Sequence, residues 1–226
     1  MSKKASKRYR QCLEKVPQGR VSVAEAAKVV GSFPATKFDS TIELVMHLGI
    51  DPKQSDQQVR GSFSLPHGIG TTRKVIAFCE DQDIDAALKA GAIEAGNNDL
   101  IKKVSDGWMD FDVAVAASKM MKNVSKLGRV LGPQGKMPSP KAGTVGDDVI
   151  QMVTEYAAGK VEYRNDDGGN LQVPVGKASF EADKLAGNIN AFIEHVKKIR
   201  PSTMKGTYIK KACLSATMSP SVELEV

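Results

Sequence analysis

The sequence is poor in residues that bind metals or form disulfides. The three cysteines are Cys12, Cys79 and Cys213, and the three histidines are His47, His67 and His195. The cysteines lie far apart, and an odd number without a CxxC motif argues against a disulfide framework or a zinc site. The histidines show no ligand spacing to each other or to cysteine. We therefore expect no metal and no other cofactor.

Long apolar runs are also missing. No run approaches the roughly 20 residues that a membrane helix needs. The first eight residues are basic, but the apolar stretch of a secretory signal does not follow them. The sequence therefore predicts a cytoplasmic protein without a membrane partner.

Glycine-rich segments suggest nucleotide sites but fail in detail. In residues 127–137, Met137 follows Gly-Lys where a phosphate loop needs Ser or Thr, and Val130 stands where it needs glycine. Residues 68–73 lack the third glycine of a dinucleotide fingerprint. Neither GxSxG nor HExxH occurs. The sequence predicts that the protein is not an enzyme. An α/β enzyme with a site between two domains is the alternative, which binding of a nucleotide or a small acid would favour.

The positive charge is concentrated at the two ends of the chain. The net charge is +6, yet residues 68–159 hold 11 Lys/Arg and 12 Asp/Glu. The flanking residues, 1–67 and 160–226, hold 21 basic and 14 acidic side chains. A basic excess indicates a polyanionic partner, so the two ends together are the candidate binding surface.

Hydrophobic periodicity separates the ends from the middle. Residues 38–50 alternate with a period of two and predict a long half-buried strand, with 59–65 as a partner strand. Residues 160–164 and 171–175 indicate a hairpin. A long amphipathic helix over 183–199 and two closing strands, 207–217 and 222–226, follow.

The middle of the chain has apolar runs at Val75–Cys79 and Val113–Ala117, with helical patterns at 84–90, 99–104, 118–127 and 147–158. Such runs are typical of strands that are buried on both faces of a parallel sheet. The pattern predicts an α/β block inserted into one discontinuous domain.

Two further basic stretches are open to two interpretations. Residues 113–146 contain six Lys/Arg and no acid, and the first twenty residues contain seven Lys/Arg and one acid. Each is either a solvated surface or a surface that contacts phosphates. Aromatic residues make up only 5%, so stacking of single-stranded bases is not indicated. Recognition of a folded RNA by its shape is favoured.

The chain resembles the L-one family of large-subunit ribosomal proteins, in its bacterial form. The matching segments run in order along nearly the whole chain: 37–43 (KFDSTIE), 48–52 (LGIDP), 59–61 (VRG), 65–68 (LPHG), 106–112 (DGWMDFD), 127–133 (LGRVLGP), 138–145 (PSPKAGTV), 175–180 (VGKASF) and 217–218 (TM).

The resemblance implies an α/β protein of two domains. A discontinuous α+β domain, 1–67 and 160–226, would bind RNA, and a Rossmann-like α/β domain would be inserted at 68–159. The implied function is that of a structural constituent of the large subunit. It would bind large-subunit ribosomal RNA to form the mobile stalk near the tRNA exit site. It would also aid release of deacylated exit-site tRNA and repress translation of its own operon mRNA. A single copy would sit in the ribosome.

The resemblance also implies the RNA-binding residues. They are Lys37, Phe38, Thr41, Glu43, Arg164, Asn165, Lys177, Ser179, Thr217 and Met218. Core packing is the alternative for Phe38, because the alternation places it on one face with Ile42. The chain departs from the family at Ser219, where glycine is usual, and a Cβ there would restrict a positive φ.

Overall fold

A computed structural model describes residues 6–226 of the chain. The chain folds into two compact units. The terminal unit comprises the chain up to Gly70 together with Val161–Val226, and the middle unit comprises Thr71–Lys160. Helices and strands occur in both, so the predicted α/β class is confirmed. Within the described range, none of the helices is long and apolar enough to cross a membrane.

The helices and strands follow one another along the chain in a mixed order. They are α1 (Lys7–Lys15), α2 (Val23–Gly31), β1 (Thr41–Leu48), β2 (Arg60–Ser64), β3 (Val75–Phe78), α3 (Ile84–Lys89), β4 (Glu94–Gly96), α4 (Asn98–Ser105), β5 (Val113–Ala117), α5 (Met121–Val124), α6 (Gly128–Leu131), β6 (Val145–Gly146), α7 (Val149–Ala157), β7 (Lys160–Arg164), β8 (Asn170–Lys177), α8 (Ala182–Lys198), β9 (Ile209–Ala216) and β10 (Ser221–Leu224).

The main sheet of the terminal unit is antiparallel, in the order β10-β9-β1-β8. On β1, Ile42, Leu44, Met46 and Leu48 are buried, whereas Glu43 is exposed. The predicted alternation is therefore confirmed, although the strand begins at Thr41 and not at residue 38. One face of β1 belongs to the core, and the other is free to display polar side chains.

Helices α2 and α8 share a hydrophobic core with this sheet. The predicted apolar stripe of α8 is buried throughout: Leu185, Ile189, Phe192, Ile193 and Val196. Burial of each such side chain is worth about 1.5–3 kcal/mol. Ser22 caps α2 by accepting a hydrogen bond from the Glu25 backbone N–H, 3.3 Å away.

Two predicted pairings are wrong. Strand β2 does not pair with β1 but forms a separate two-stranded sheet with β7. Strands β7 and β8 do not form a regular hairpin either, because β8 joins β1 in the main sheet. Only an isolated bridge between Asn165 and Leu171 links their ends. The chain turns where the sequence indicates, but the turn carries it from one sheet to the other.

The middle unit contains a parallel sheet in the order β4-β3-β5-β6. Strands β3 and β5 are buried along their whole length, as their continuous apolar runs predict. The edge strands β4 and β6 were not predicted. They have three and two residues, and such lengths are too short to show a period.

The helix predicted over residues 118–127 is instead a chain of short helical turns over residues 118–131. It alternates between 3₁₀ and α geometry, including α5 and α6. The Ser125 hydroxyl donates to the Lys122 carbonyl oxygen at 2.8 Å. Serine side chains that bond the backbone locally compete with regular helical bonds, which favours this broken form.

Candidate nucleic-acid interface

One end of the main sheet brings three predicted residues into direct contact. Thr41 begins β1 and is paired with Lys177 at the end of β8. The Lys177 ammonium donates to the Thr41 hydroxyl at 2.9 Å. Thr217, just after β9, donates to the Thr41 carbonyl oxygen from its backbone N–H at 3.0 Å and from its hydroxyl at 3.2 Å. The ends of β8, β1 and β9 thus bring one Lys and two Thr side chains together at one end of the sheet.

Ser179 and the segment before β1 lie next to this end of the sheet. The Asp39 carboxylate accepts a hydrogen bond from the Ser179 backbone N–H at 3.2 Å and another from its hydroxyl at 2.7 Å. The Ala178 N–H donates to the Ser40 carbonyl oxygen at 2.8 Å. Asp39 was not among the predicted site residues. It lies within the 37–43 motif but is acidic, so it was not expected at a surface that binds RNA. The structure shows that it binds Ser179.

Two large apolar side chains are exposed at the same end of the sheet. Phe38 is 50% exposed and Met218 is 70% exposed. The core-packing alternative for Phe38 is therefore wrong, because the residue precedes β1 and does not continue its buried face. Exposed apolar side chains that are grouped beside polar ones are typical of a contact surface.

The turn that carries Met218 is strained. Met218 has a φ of +60° and is the only residue other than glycine with a positive φ in the range 6–226. The Ser219 N–H closes the turn onto the Ala216 carbonyl oxygen at 2.9 Å. This conformation costs about 1–3 kcal/mol for a residue with a side chain. The restriction expected at Ser219 therefore falls on the preceding residue, and the serine is accommodated without a positive φ.

Lys37 and Glu43 are exposed beside this cluster. Glu43 lies two residues after Thr41 on the same face of β1, opposite Ser215 of β9. We define the sheet-end surface as Lys37, Phe38, Thr41, Glu43, Lys177, Ser179, Thr217 and Met218. It combines cations, hydroxyls, one carboxylate and two apolar groups, which are the groups that contact phosphates, 2′-hydroxyls and sugars of RNA.

The other two predicted residues lie at the opposite end of β1. There, His47 pairs with Asn170, at the turn that follows β7. Asn165 accepts a hydrogen bond from the Val59 N–H at 2.9 Å, so its side chain already links two strands. Arg164 is exposed. An RNA that contacts both ends must span β1 from Thr41 to Leu48, seven residue steps or about 23 Å.

The turn at this second end is ordered by Asp166. Its carboxylate accepts from the Asn170 side chain at 3.0 Å, from the Asn170 backbone at 2.7 Å and from the Gly168 N–H at 2.9 Å. The bonds from Asn170 lower the pKa of the Asp166 carboxyl, and the Gly168 bond acts in the same direction. The carboxylate therefore stays ionised at neutral pH and fixes the turn that follows β7.

Two of the histidines make contacts within the terminal unit. His195 lies against Phe63, with ring centroids 4.5 Å apart, and its Nε2 is 2.8 Å from the Tyr163 hydroxyl. Burial lowers the pKa of His195 and so favours the neutral ring, and the charge of Lys198 acts in the same direction. His47 Nδ1 is 2.9 Å from the Asn170 side-chain oxygen. Among residues 6–226 no group of three or more His, Cys, Asp or Glu side chains is placed to hold a metal ion.

The basic stretch 113–146 of the middle unit has six cations, of which one is bound to the backbone and five are exposed. Lys136, the lysine of the glycine-rich segment, donates to the carbonyl oxygens of Met109 and Phe111 and lies over the Phe111 ring. It is therefore a structural residue. The exposed cations are Lys119, Lys122, Lys126, Arg129 and Lys141. The first four recur every three or four residues, which places them along one side of the helical turns.

The fold is of the mixed α/β class, and its sheet-end surface groups cations, hydroxyls and exposed apolar side chains. The chain belongs to the ribosomal protein L1p/L10e family, whose model matches residues 29–220. It is therefore a ribosomal protein and not an enzyme, and the resemblance found from the sequence motifs is confirmed. The predicted ribosomal, cytoplasmic location is confirmed as well.

Three relatives match over almost their whole length. The chain is 54% identical to the large ribosomal subunit protein uL1 of Rhodopirellula baltica, over 98% of each chain. It is 48% identical to the uL1 protein of Thermus thermophilus, over 98% of this chain and 97% of the relative. It is 47% identical to that of Limosilactobacillus reuteri, over 100% and 99%.

Proposed function

We propose that the protein is a structural constituent of the large ribosomal subunit and binds a folded segment of large-subunit ribosomal RNA. The relatives are named as large-subunit proteins, and they align with nearly the whole chain. In this proposal the terminal unit is the RNA-binding domain and the middle unit is an inserted Rossmann-like domain. The RNA segment would form the mobile stalk near the tRNA exit site, and the protein would aid release of deacylated tRNA.

The observation that carries the proposal is the contact of Thr41, Lys177 and Thr217 beside two exposed apolar side chains. Hydroxyl groups can both donate to and accept from 2′-hydroxyls, so this edge suits RNA better than DNA. Lys37 and Lys177 supply positive charge for phosphates. Phe38 and Met218 supply flat or flexible apolar contacts for a sugar or a base edge. The sheet holds these groups in place before the RNA arrives.

The five exposed cations of the middle unit are a second candidate surface. Lys119 is paired with Glu80 at 3.2 Å, whereas no ion pair is seen for Lys122, Lys126 or Arg129 among the described residues. Unpaired cations along one side of a helical segment suit a phosphate backbone. This surface would add affinity without reading sequence.

The first test is the salt dependence of binding to a transcript of the stalk region. Affinity should fall steeply with KCl, with a logarithmic slope of about one per phosphate contacted. Lys37→Ala should lower the affinity and reduce that slope by about one, since Lys37 is exposed at the sheet-end surface. Lys53→Ala, an exposed lysine of the same unit in the loop after β1, is the matched control. Equal slopes for both variants and the parent would contradict the assignment of Lys37.

We propose in addition that the protein represses translation of its own operon mRNA, through a fold in the leader that resembles the ribosomal site. Overexpression should then lower a reporter placed behind that leader. The control is a leader in which base changes disrupt the fold. A second set of changes that restores the base pairing should restore repression. Unchanged reporter output on overexpression would rule out repression for this protein.

A further inference from the structure

The carbonyl oxygen of the strained residue Met218 is bound by an arginine from the other end of the chain. Arg8, the second residue of α1, donates from Nη2 to the Met218 carbonyl oxygen. Its Nη1 reaches the Pro34 carbonyl oxygen at 3.5 Å, a long contact. Pro34 lies in the segment that leads to Phe38. One guanidinium therefore links the backbone of Met218 to that of Pro34, four residues before Phe38.

Helix α1 is held in place by contacts other than those of Arg8. Ser6 caps the helix by accepting from the Tyr9 N–H at 3.2 Å. Cys12 is completely buried. Near the other end, the Lys15 ammonium donates to the Ser32 carbonyl oxygen at 2.6 Å. The Ser6 bond stabilises the first turn of α1, and burial of Cys12 and the Lys15 bond hold the helix in the terminal unit, so α1 should stay in place when Arg8 is replaced.

The guanidinium also lines a groove of about 520 Å³ in the terminal unit. Residues from three segments border it, among them Phe33, Thr36, Phe38, Ser179 and Ser219. These segments come from different parts of the chain, so their relative position depends on contacts such as those of Arg8. Arg8 lies outside residues 29–220, which the family model matches.

We infer that Arg8 is a positioning residue, which holds the Met218 turn and the segment before Phe38 in the arrangement that binds RNA. The inference rests on the proposed function. A fixed fork of N–H donors suits this role, because it can bind two carbonyl oxygens at once. Both terminal guanidinium nitrogens donate to backbone carbonyl oxygens. Arg8 thus acts through the turn and differs from the phosphate-contacting cations suggested by the basic composition of the N-terminal residues.

Loss of Arg8 should lower the affinity for RNA without changing its dependence on salt. Arg8→Ala should weaken binding to the stalk transcript by about tenfold at every KCl concentration, the size expected for a lost hydrogen bond from a charged group. Its salt slope should equal that of the parent. Arg8→Lys should bind with intermediate affinity, since an ammonium cannot bridge both carbonyls. Lys7→Ala, an exposed neighbour on the same helix, is the control for loss of one charge and should change affinity little.

A second measurement on the free protein makes the test independent of RNA. With ¹³C-methyl methionine labelling, Arg8→Ala should shift and broaden the Met218 resonance, while Lys7→Ala should leave it unchanged. Both variants should still unfold cooperatively, and Arg8→Ala should lose no more stability than one hydrogen bond from a charged group contributes. Parent-like affinity of Arg8→Ala, a slope reduced by about one as for Lys37→Ala, or an unchanged Met218 resonance would each overturn the inference. Failure of the parent itself to bind the transcript would instead refute the proposed function, and the resonance would still decide the role of Arg8.

Discussion

Phe192→Ala is expected to lower the free energy of unfolding of the terminal unit by about 3–5 kcal/mol, the range for loss of a large aromatic ring from a packed core. Phe192 is completely buried on α8. Its ring centroid lies 5.5 Å from that of Tyr163 and 5.8 Å from that of Phe63, both in edge-on contact. The cavity left by the ring would therefore lie between α8 and the β2–β7 sheet. Urea unfolding followed by circular dichroism measures the loss.

The control for this variant lies on the same helix. Lys197→Ala removes an exposed side chain and should change the free energy of unfolding by no more than about 0.5 kcal/mol. Phe192→Leu should fall between the two variants because it keeps part of the volume. A loss below about 1 kcal/mol for Phe192→Ala would mean that the core closes around the missing ring, contrary to close packing.

The apolar face of α8, which includes Phe192, shows which parts of the fold can be predicted from the sequence. The apolar stripe of α8 and the alternation of β1 were predicted because each period reports directly on burial of one face. The partner of β2 was predicted wrongly, since alternation says which face is buried but not which strand lies alongside. Strand β7 is about a hundred residues away, and its pairing with β2 depends on how the chain folds as a whole.

The sheet-end surface was predicted from family motifs and not from periodicity. Periodicity alone placed Phe38 in the core, because it could not show that the strand begins three residues later at Thr41. The positive φ of Met218 depends on the turn between β9 and β10 and leaves no pattern in a sequence without glycine there. Arg8 and Asp39 were missed for a similar reason. Both act on backbone or side chains that are distant in the chain, and only the tertiary structure brings them together.

Met218→Glu is expected to weaken binding to the stalk transcript by about 100-fold or more, because a carboxylate facing phosphates costs several kcal/mol and each tenfold loss corresponds to about 1.4 kcal/mol. Met218 is 70% exposed, so the substitution removes little core packing and the melting temperature should stay within error of the parent. Filter binding or fluorescence anisotropy at a fixed KCl concentration measures the loss.

Two variants separate charge from shape and position. Met218→Gln has nearly the same length without the charge, and should bind far more tightly than Met218→Glu. Leu88→Glu places the same carboxylate on an apolar residue of the middle unit that is 42% exposed, and should bind nearly like the parent. If Met218→Glu bound as tightly as Leu88→Glu, the RNA could not approach the β9–β10 turn. In that case the strain at Met218 would need a role other than RNA contact, because a glycine at this position would hold the same turn at lower cost.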